Sequence, residues 1–93
     1  MPRHATVSVP AKTWTELTAS NATNVTFENM TPGPLFLSAT TGAAPADLDG
    51  AVLYQGVSGD MNVSLTDTFA GVSGAVRLWA WSKTGARVAV SHA

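Results

Sequence analysis

Apolar positions along this chain come in short runs broken by Pro and Gly. The breaks fall at Pro10, Pro32-Gly33-Pro34, Gly42, Pro45, Gly50, Gly56, Gly59, Gly71, Gly74 and Gly85. No stretch between them carries a helical apolar stripe longer than about two turns. Short runs at regular spacing with turn residues between them predict an all-β sandwich or barrel. The runs place strands at Thr13–Thr18, Asn24–Glu28, Gly33–Thr40, Ala51–Tyr54, Met61–Leu65, Ala75–Ser82 and Ala86–Ser91, with Val7–Val9 as a short lead-in. That is one small domain, 1–93, of about seven short antiparallel strands. The stretch Thr40–Asp49 reads as a long exposed loop. Ser64–Phe69 reads as one helical turn, with Ser64 or Thr66 as its cap and Asp67 suited to its N-terminal end.

Residue usage agrees with this pattern. Thr occurs 12 times and Val 10 times, and branching at Cβ suits a pleated surface. Gly56-Val57-Ser58-Gly59 and Gly71-Val72-Ser73-Gly74 are identical in sequence, and each precedes a predicted strand. They read as one turn chemistry used twice.

Trp79 and Trp81 alternate with Leu78 and Ala80, and side chains two apart share a strand face. Ala75–Ser82 and Ala86–Ser91 are expected to form a hairpin. A two-residue turn at Thr84-Gly85 pairs Trp81 with Val88 and puts the tryptophans in an apolar layer. A three-residue turn with a bulge pairs Ala80 with Val88 and puts Trp81 beside Arg87 on the opposite face. A slip of one residue separates core from contact surface. Arg77, Trp79, Trp81 and Arg87 are therefore candidate interface residues, since Arg and Trp are enriched at interfaces.

The chain is 93 residues long, enough for one domain. Charged residues make up 12%, about half the roughly 25% usual for soluble domains. With a net charge of −1, such a surface has little self-repulsion and favours association. Five scattered cations make no basic patch, so nucleic acid is not an expected partner. A single-strand platform would also need more cations around its aromatics. The apolar runs are too short to span a membrane, and MPRHATVSVP shows no apolar core of a secretory signal. Cysteine is absent, which excludes disulfides and thiolate chemistry.

Candidate chemistry is sparse. His4 and His92 lie one near each terminus and read as solvated side chains; two ligands do not make a zinc site. Ser, His and carboxylate residues exist, but no nucleophile motif joins them, and so small a barrel leaves little pocket volume. No enzyme activity and no cofactor is expected. Asp47-Leu48-Asp49-Gly50 resembles the start of a calcium loop, but Val52 and Ser58 stand where that loop wants Gly and Glu. The four Asn-x-Ser/Thr triplets at Asn21, Asn24, Asn29 and Asn62 are formal glycosylation sites, expected by chance in so Thr-rich a chain.

Trp14 in TWTELT, then ATNVTFEN, LFLSAT, APADLDGAVLY, SLTDTFAG, GAVRLWAWS and the closing VAVSHA give the chain a further likeness. From about Thr13 to the C-terminus it resembles small proteins encoded among the structural genes of tailed bacteriophages. The resemblance implies a β-rich virion component, either a head-decoration or minor capsid protein or a piece of the neck or tail. It implies a homo-oligomer, often a trimer, that contacts the major capsid protein or other virion proteins. The expected location is the virion, assembled in the host bacterial cytoplasm. Residues 1–6 read as a candidate flexible arm in which Pro2 and Arg3 could act as a tether. The alternative from another class is a host-glycan-binding β module with Trp79 and Trp81 stacked on sugar rings.

Overall fold

In a computed structural model that describes residues 2–93, the chain forms eight strands and one helical turn. The strands are β1 (Arg3–Val9), β2 (Thr15–Glu16), β3 (Asn24–Asn29), β4 (Leu35–Thr40), β5 (Val52–Tyr54), β6 (Gly59–Ser64), β7 (Arg77–Trp81) and β8 (Ala86–His92). Between β6 and β7 lies α1 (Leu65–Thr68). Ser64 caps it, its Oγ accepting from the Asp67 N–H at 3.3 Å, as the sequence predicts. Residues 41–51 form the expected loop.

The strands divide into two antiparallel four-stranded sheets, ordered β1-β8-β3-β6 and β2-β7-β4-β5. The pairs β1·β8, β2·β7, β3·β6 and β4·β5 all form. That is one long hairpin, from β4·β5 outward, rolled over into two layers. Eight strands paired in this nested way are a jelly roll, which manages its edges by closing two sheets on each other.

The core lies between the sheets and follows the strand alternation. Val25 and Phe27 of β3, Leu35, Leu37 and Ala39 of β4, Leu78 and Ala80 of β7, and Val88 and Val90 of β8 all point inward and are buried. Leu65 of α1, together with Leu17 and Phe69, belongs to the same buried cluster. Each fully buried leucine contributes roughly 1.5–3 kcal/mol by leaving water. A small domain rests on about this many such side chains.

Several expectations are corrected. The all-β sandwich is as expected, but the Val7–Val9 lead-in is the end of a seven-residue strand. Arg3–Thr6 is not a free arm, since all seven residues of β1 pair with β8; Met1 lies outside the described residues. The last two strands do not form a hairpin. β7 pairs with β2 and β4, whereas β8 pairs with β1 and β3. Residues 82–85 carry the chain from one sheet to the other. They run beside the β1-to-β2 crossing, where Ala11 bridges Ser82 and the Lys12 N–H donates to the Ser82 carbonyl at 2.7 Å. Neither hairpin register therefore exists. Leu78, Ala80, Val88 and Val90 all face the core from opposite layers, and Trp79 and Trp81 take the outer face.

Candidate assembly surfaces

The outer face of the second sheet is built from alternate residues of β7 and β4. Register sets Phe36 between Leu53 and Trp81, and Ser38 beside Trp79. Trp79 sits beside Glu16 of β2 on its other flank. An apolar strip thus crosses three strands. The rings of Phe36 and Trp81 meet edge to face, with centroids 5.9 Å apart at 67°, and Leu53 stays 46% exposed at the margin. Trp79 Nε1 donates to Thr40 Oγ1 at 2.9 Å. Both tryptophans are therefore half-buried and fixed in orientation by neighbours on their own face.

A polar network borders the strip. Arg77 Nη1 donates to Glu16 Oε2 at 2.9 Å, and its Nε donates to Asn21 Oδ1 at 2.8 Å. The same carboxylate oxygen accepts from Thr18 Oγ1 at 2.9 Å. Thr18 is itself buried, and its Oγ1 accepts the Leu78 N–H at 3.2 Å where β2 has ended. A half-exposed ion pair adds at most about 1 kcal/mol to stability. Its effect here is to hold the guanidinium between Glu16 and Asn21.

The candidate residues do not form one patch. Arg77, Trp79 and Trp81 lie together on β7. Arg87 is exposed on the outer face of β8, in the other sheet, and its backbone N–H donates to Thr31 Oγ1 at 2.9 Å. Pro2 is exposed at the start of β1, and Arg3 Nη1 donates to the Leu17 carbonyl at 3.2 Å. Arg3 thus ties the two sheets together at one end.

A second surface was not expected from so small a domain. The outer face of the first sheet is dished into an open groove of about 790 Å³, with His4, Thr6, Glu28, Met61 and Ser91 among its lining. Its floor is low because Ala89 and Ser91 of β8 are small. One wall is raised by Val57 and Met61, which are 66% and 83% exposed. His4 Nδ1 lies 3.2 Å from Ser91 Oγ, a contact made by the β1·β8 register, which sets His4 opposite Ser91. Asp60 also lines the groove, but its carboxylate accepts the Tyr54 hydroxyl at 2.7 Å. Burial, together with this hydrogen bond and the carboxylate's charge, pushes the Tyr54 phenol up to about 12.

The two histidines differ. His4 is exposed, as expected, but His92 is buried. His92 Nε2 accepts the Ala19 N–H at 3.0 Å, so that nitrogen carries no proton, and Nδ1–H then donates to the Ala93 carbonyl at 2.8 Å. His92 thereby pins the C-terminus to the segment after β2. The Asp47 segment is a turn in which Asp47 Oδ1 accepts the Asp49 N–H at 3.0 Å. Among the described residues, no three His, Asp or Glu side chains gather as metal ligands, and no helix is long and apolar enough to cross a membrane. Comparison with known protein families, with curated proteins and with solved structures finds no match to this chain.

Proposed function

We propose that this chain is a structural component of a bacteriophage virion. In this reading it is a capsid-surface decoration or minor capsid protein that packs against copies of itself and against the major capsid protein. The observation that carries the reading is the nested eight-strand order, β1-β8-β3-β6 over β2-β7-β4-β5. Jelly rolls recur in viral capsid domains. A fold alone hosts many functions, so the surfaces matter too. Both sheets offer broad outer faces of low charge, one with a half-buried aromatic strip and one with a groove. Low charge suits many modest contacts multiplied over a symmetric lattice. A neck or tail position would use the same surfaces.

Two measurements test this. Native mass spectrometry over a concentration series should show a discrete closed oligomer of the 9.6 kDa chain. Immunogold labelling of purified particles from the source strain should decorate the head in many copies. Label on the neck or tail would move the assignment there, and unlabelled particles would sink the virion reading.

A second reading rests on the orientation of the tryptophans. Trp79 tied to Thr40, and Trp81 braced by Phe36, make a preset apolar platform of the kind that stacks on sugar rings. Jelly rolls also serve as lectin domains. A glycan array with the wild-type chain and Trp79→Ala distinguishes the two. Binding lost in the variant would favour the glycan module, and a blank array would favour assembly.

A further inference from the structure

The geometry points to β1 as a self-pairing edge that joins two copies of this chain about a two-fold axis at Thr6. This inference rests on the self-association proposed above, but not on the particle. The four sheet edges differ. Natural edge strands are blunted by shortness, bulges or charge, because their open N–H and C=O groups invite another strand. β2 has two residues and β5 three. β6 is bulged opposite Val25–Phe27, has Asn62 at φ 51° and carries Asp60. β1 is neither short nor bulged, and its one charge, Arg3, lies at its first residue and is tied to the Leu17 carbonyl. It is seven residues long, pairs with β8 without a register shift, and contains neither lysine nor proline.

The open hydrogen-bonding groups of β1 can be assigned. The Met30 N–H donates to the Arg87 carbonyl, so Arg87, Ala89 and Ser91 turn their backbone groups toward β3. Their neighbours Val88, Val90 and His92 therefore turn toward β1, where they meet Val7, Ala5 and Arg3. That leaves the N–H and C=O of His4, Thr6 and Ser8 pointing outward. An antiparallel second copy centred on Thr6 sets Thr6 opposite Thr6, and His4 opposite Ser8 on both sides. Each outward group then finds a mate, about six backbone hydrogen bonds in all.

The same axis satisfies the side chains. It keeps inward residues opposite inward residues, so Ala5, which is exposed although it points to the core face, covers Val7 of the second copy. Pro2 and Pro10 flank the strand four residues either side of Thr6 and end the pairing symmetrically. The only charge in the strand is Arg3. The two Arg3 residues lie about 20 Å apart along the pair, beyond the screening length of physiological salt. The product is one continuous sheet of both copies, and the two grooves adjoin across the axis. A heterologous β1-to-β6 contact would have to cross the bulge. The inferred unit is thus a dimer or an even multiple of it, unlike the trimer that the phage resemblance implies.

The chain has no cysteine, so Thr6→Cys is a clean probe. Residues directly opposite in a hydrogen-bonded pair have Cα atoms about 5.5 Å apart, within disulfide range. Under mild oxidation Thr6→Cys should cross-link to a dimer at least about tenfold faster than Ala43→Cys in the exposed loop. Thr6→Pro removes an outward N–H without breaking an intrachain backbone bond, losing only the exposed Thr6 Oγ1 contact with Met30 Sδ, so it should remain folded by circular dichroism and sediment as a monomer. Equal cross-linking rates, or a folded Thr6→Pro that still dimerises, would overturn the β1 contact while leaving self-assembly by another face intact. A wild-type chain that is monomeric at every concentration would overturn both. A stable dimer that never labels particles would leave this inference standing and sink the virion role.

Discussion

Two side chains show how much local environment decides at the residue scale. Tyr54 is the one tyrosine in the chain, so its ionisation is read directly from phenolate absorbance. Its midpoint should lie near 12 rather than 10. Because the folded state holds the proton more tightly than the unfolded chain, neutral Tyr54 stabilises the fold fully below pH 10. That contribution is lost as the pH climbs from 10 through about 12. Asp60→Asn removes the charge, so the midpoint should fall partway and stay above 10, since burial is the largest cause. A drop to the ordinary value would mean that burial contributes nothing. Asn29 is fully buried. Its Nδ2 donates to the carbonyls of Gly33 at 2.9 Å and Gln55 at 3.3 Å, and its Oδ1 accepts the Thr31 N–H at 3.1 Å. Asn29→Leu strands the Gly33 carbonyl and the Thr31 N–H, while the Gln55 carbonyl keeps the Ser58 hydroxyl at 2.6 Å, so urea denaturation should show a loss of about 2–4 kcal/mol. The sequence marks Asn29 only as a formal glycosylation triplet. Nothing local distinguishes it from Asn21, which is exposed, because its role depends on two loops that sequence reading does not bring together.

At the element scale, the two Gly-Val-Ser-Gly segments give an internal control. Their sequences are identical and their surroundings are not. A Cβ on Gly56 would run into the backbone of Pro32, whereas one on Gly71 would meet open space. Gly56→Ala should therefore lower the urea midpoint by an amount worth about 2–4 kcal/mol, and Gly71→Ala should stay within about 0.5 kcal/mol of wild type. Equal effects would mean that turn conformation, not the approach of the Pro32 loop, sets the requirement. The same contrast shows what was legible. Strand segments were readable because period-two alternation is written into adjacent residues, and the Ser64 cap because its partner is three residues away. Pairing was not readable. Residues 82–85 look like a hairpin turn locally, yet they carry the chain between sheets, because β8 finds better partners in β1 and β3 than in β7. The candidate surfaces inherit this division. Trp79 and Trp81 could be placed on one strand face, but the His4–Ser91 contact joins the two ends of the chain and exists only through the β1·β8 register.

For the whole molecule, the low charge has a consequence for how copies would meet. A net charge of −1 gives neither attraction nor repulsion at long range, so approach is not steered. A contact made from about six backbone hydrogen bonds and the small apolar faces of Ala5 and Val7 contains no ion pair to screen. Association through β1 should therefore be nearly indifferent to salt. Sedimentation equilibrium between about 50 and 500 mM sodium chloride should change the dimer dissociation constant by less than about threefold. A contact through Arg77, Arg87 or the Glu28 and Asp60 carboxylates would behave differently, weakening steadily as salt rises. Such weakening would assign the interface to an outer face of the sandwich instead of its edge. Sodium sulfate sharpens the comparison, since it strengthens apolar burial while screening charge. Tighter association in sulfate with no change in chloride is the pattern that an edge built from backbone groups and small apolar side chains requires.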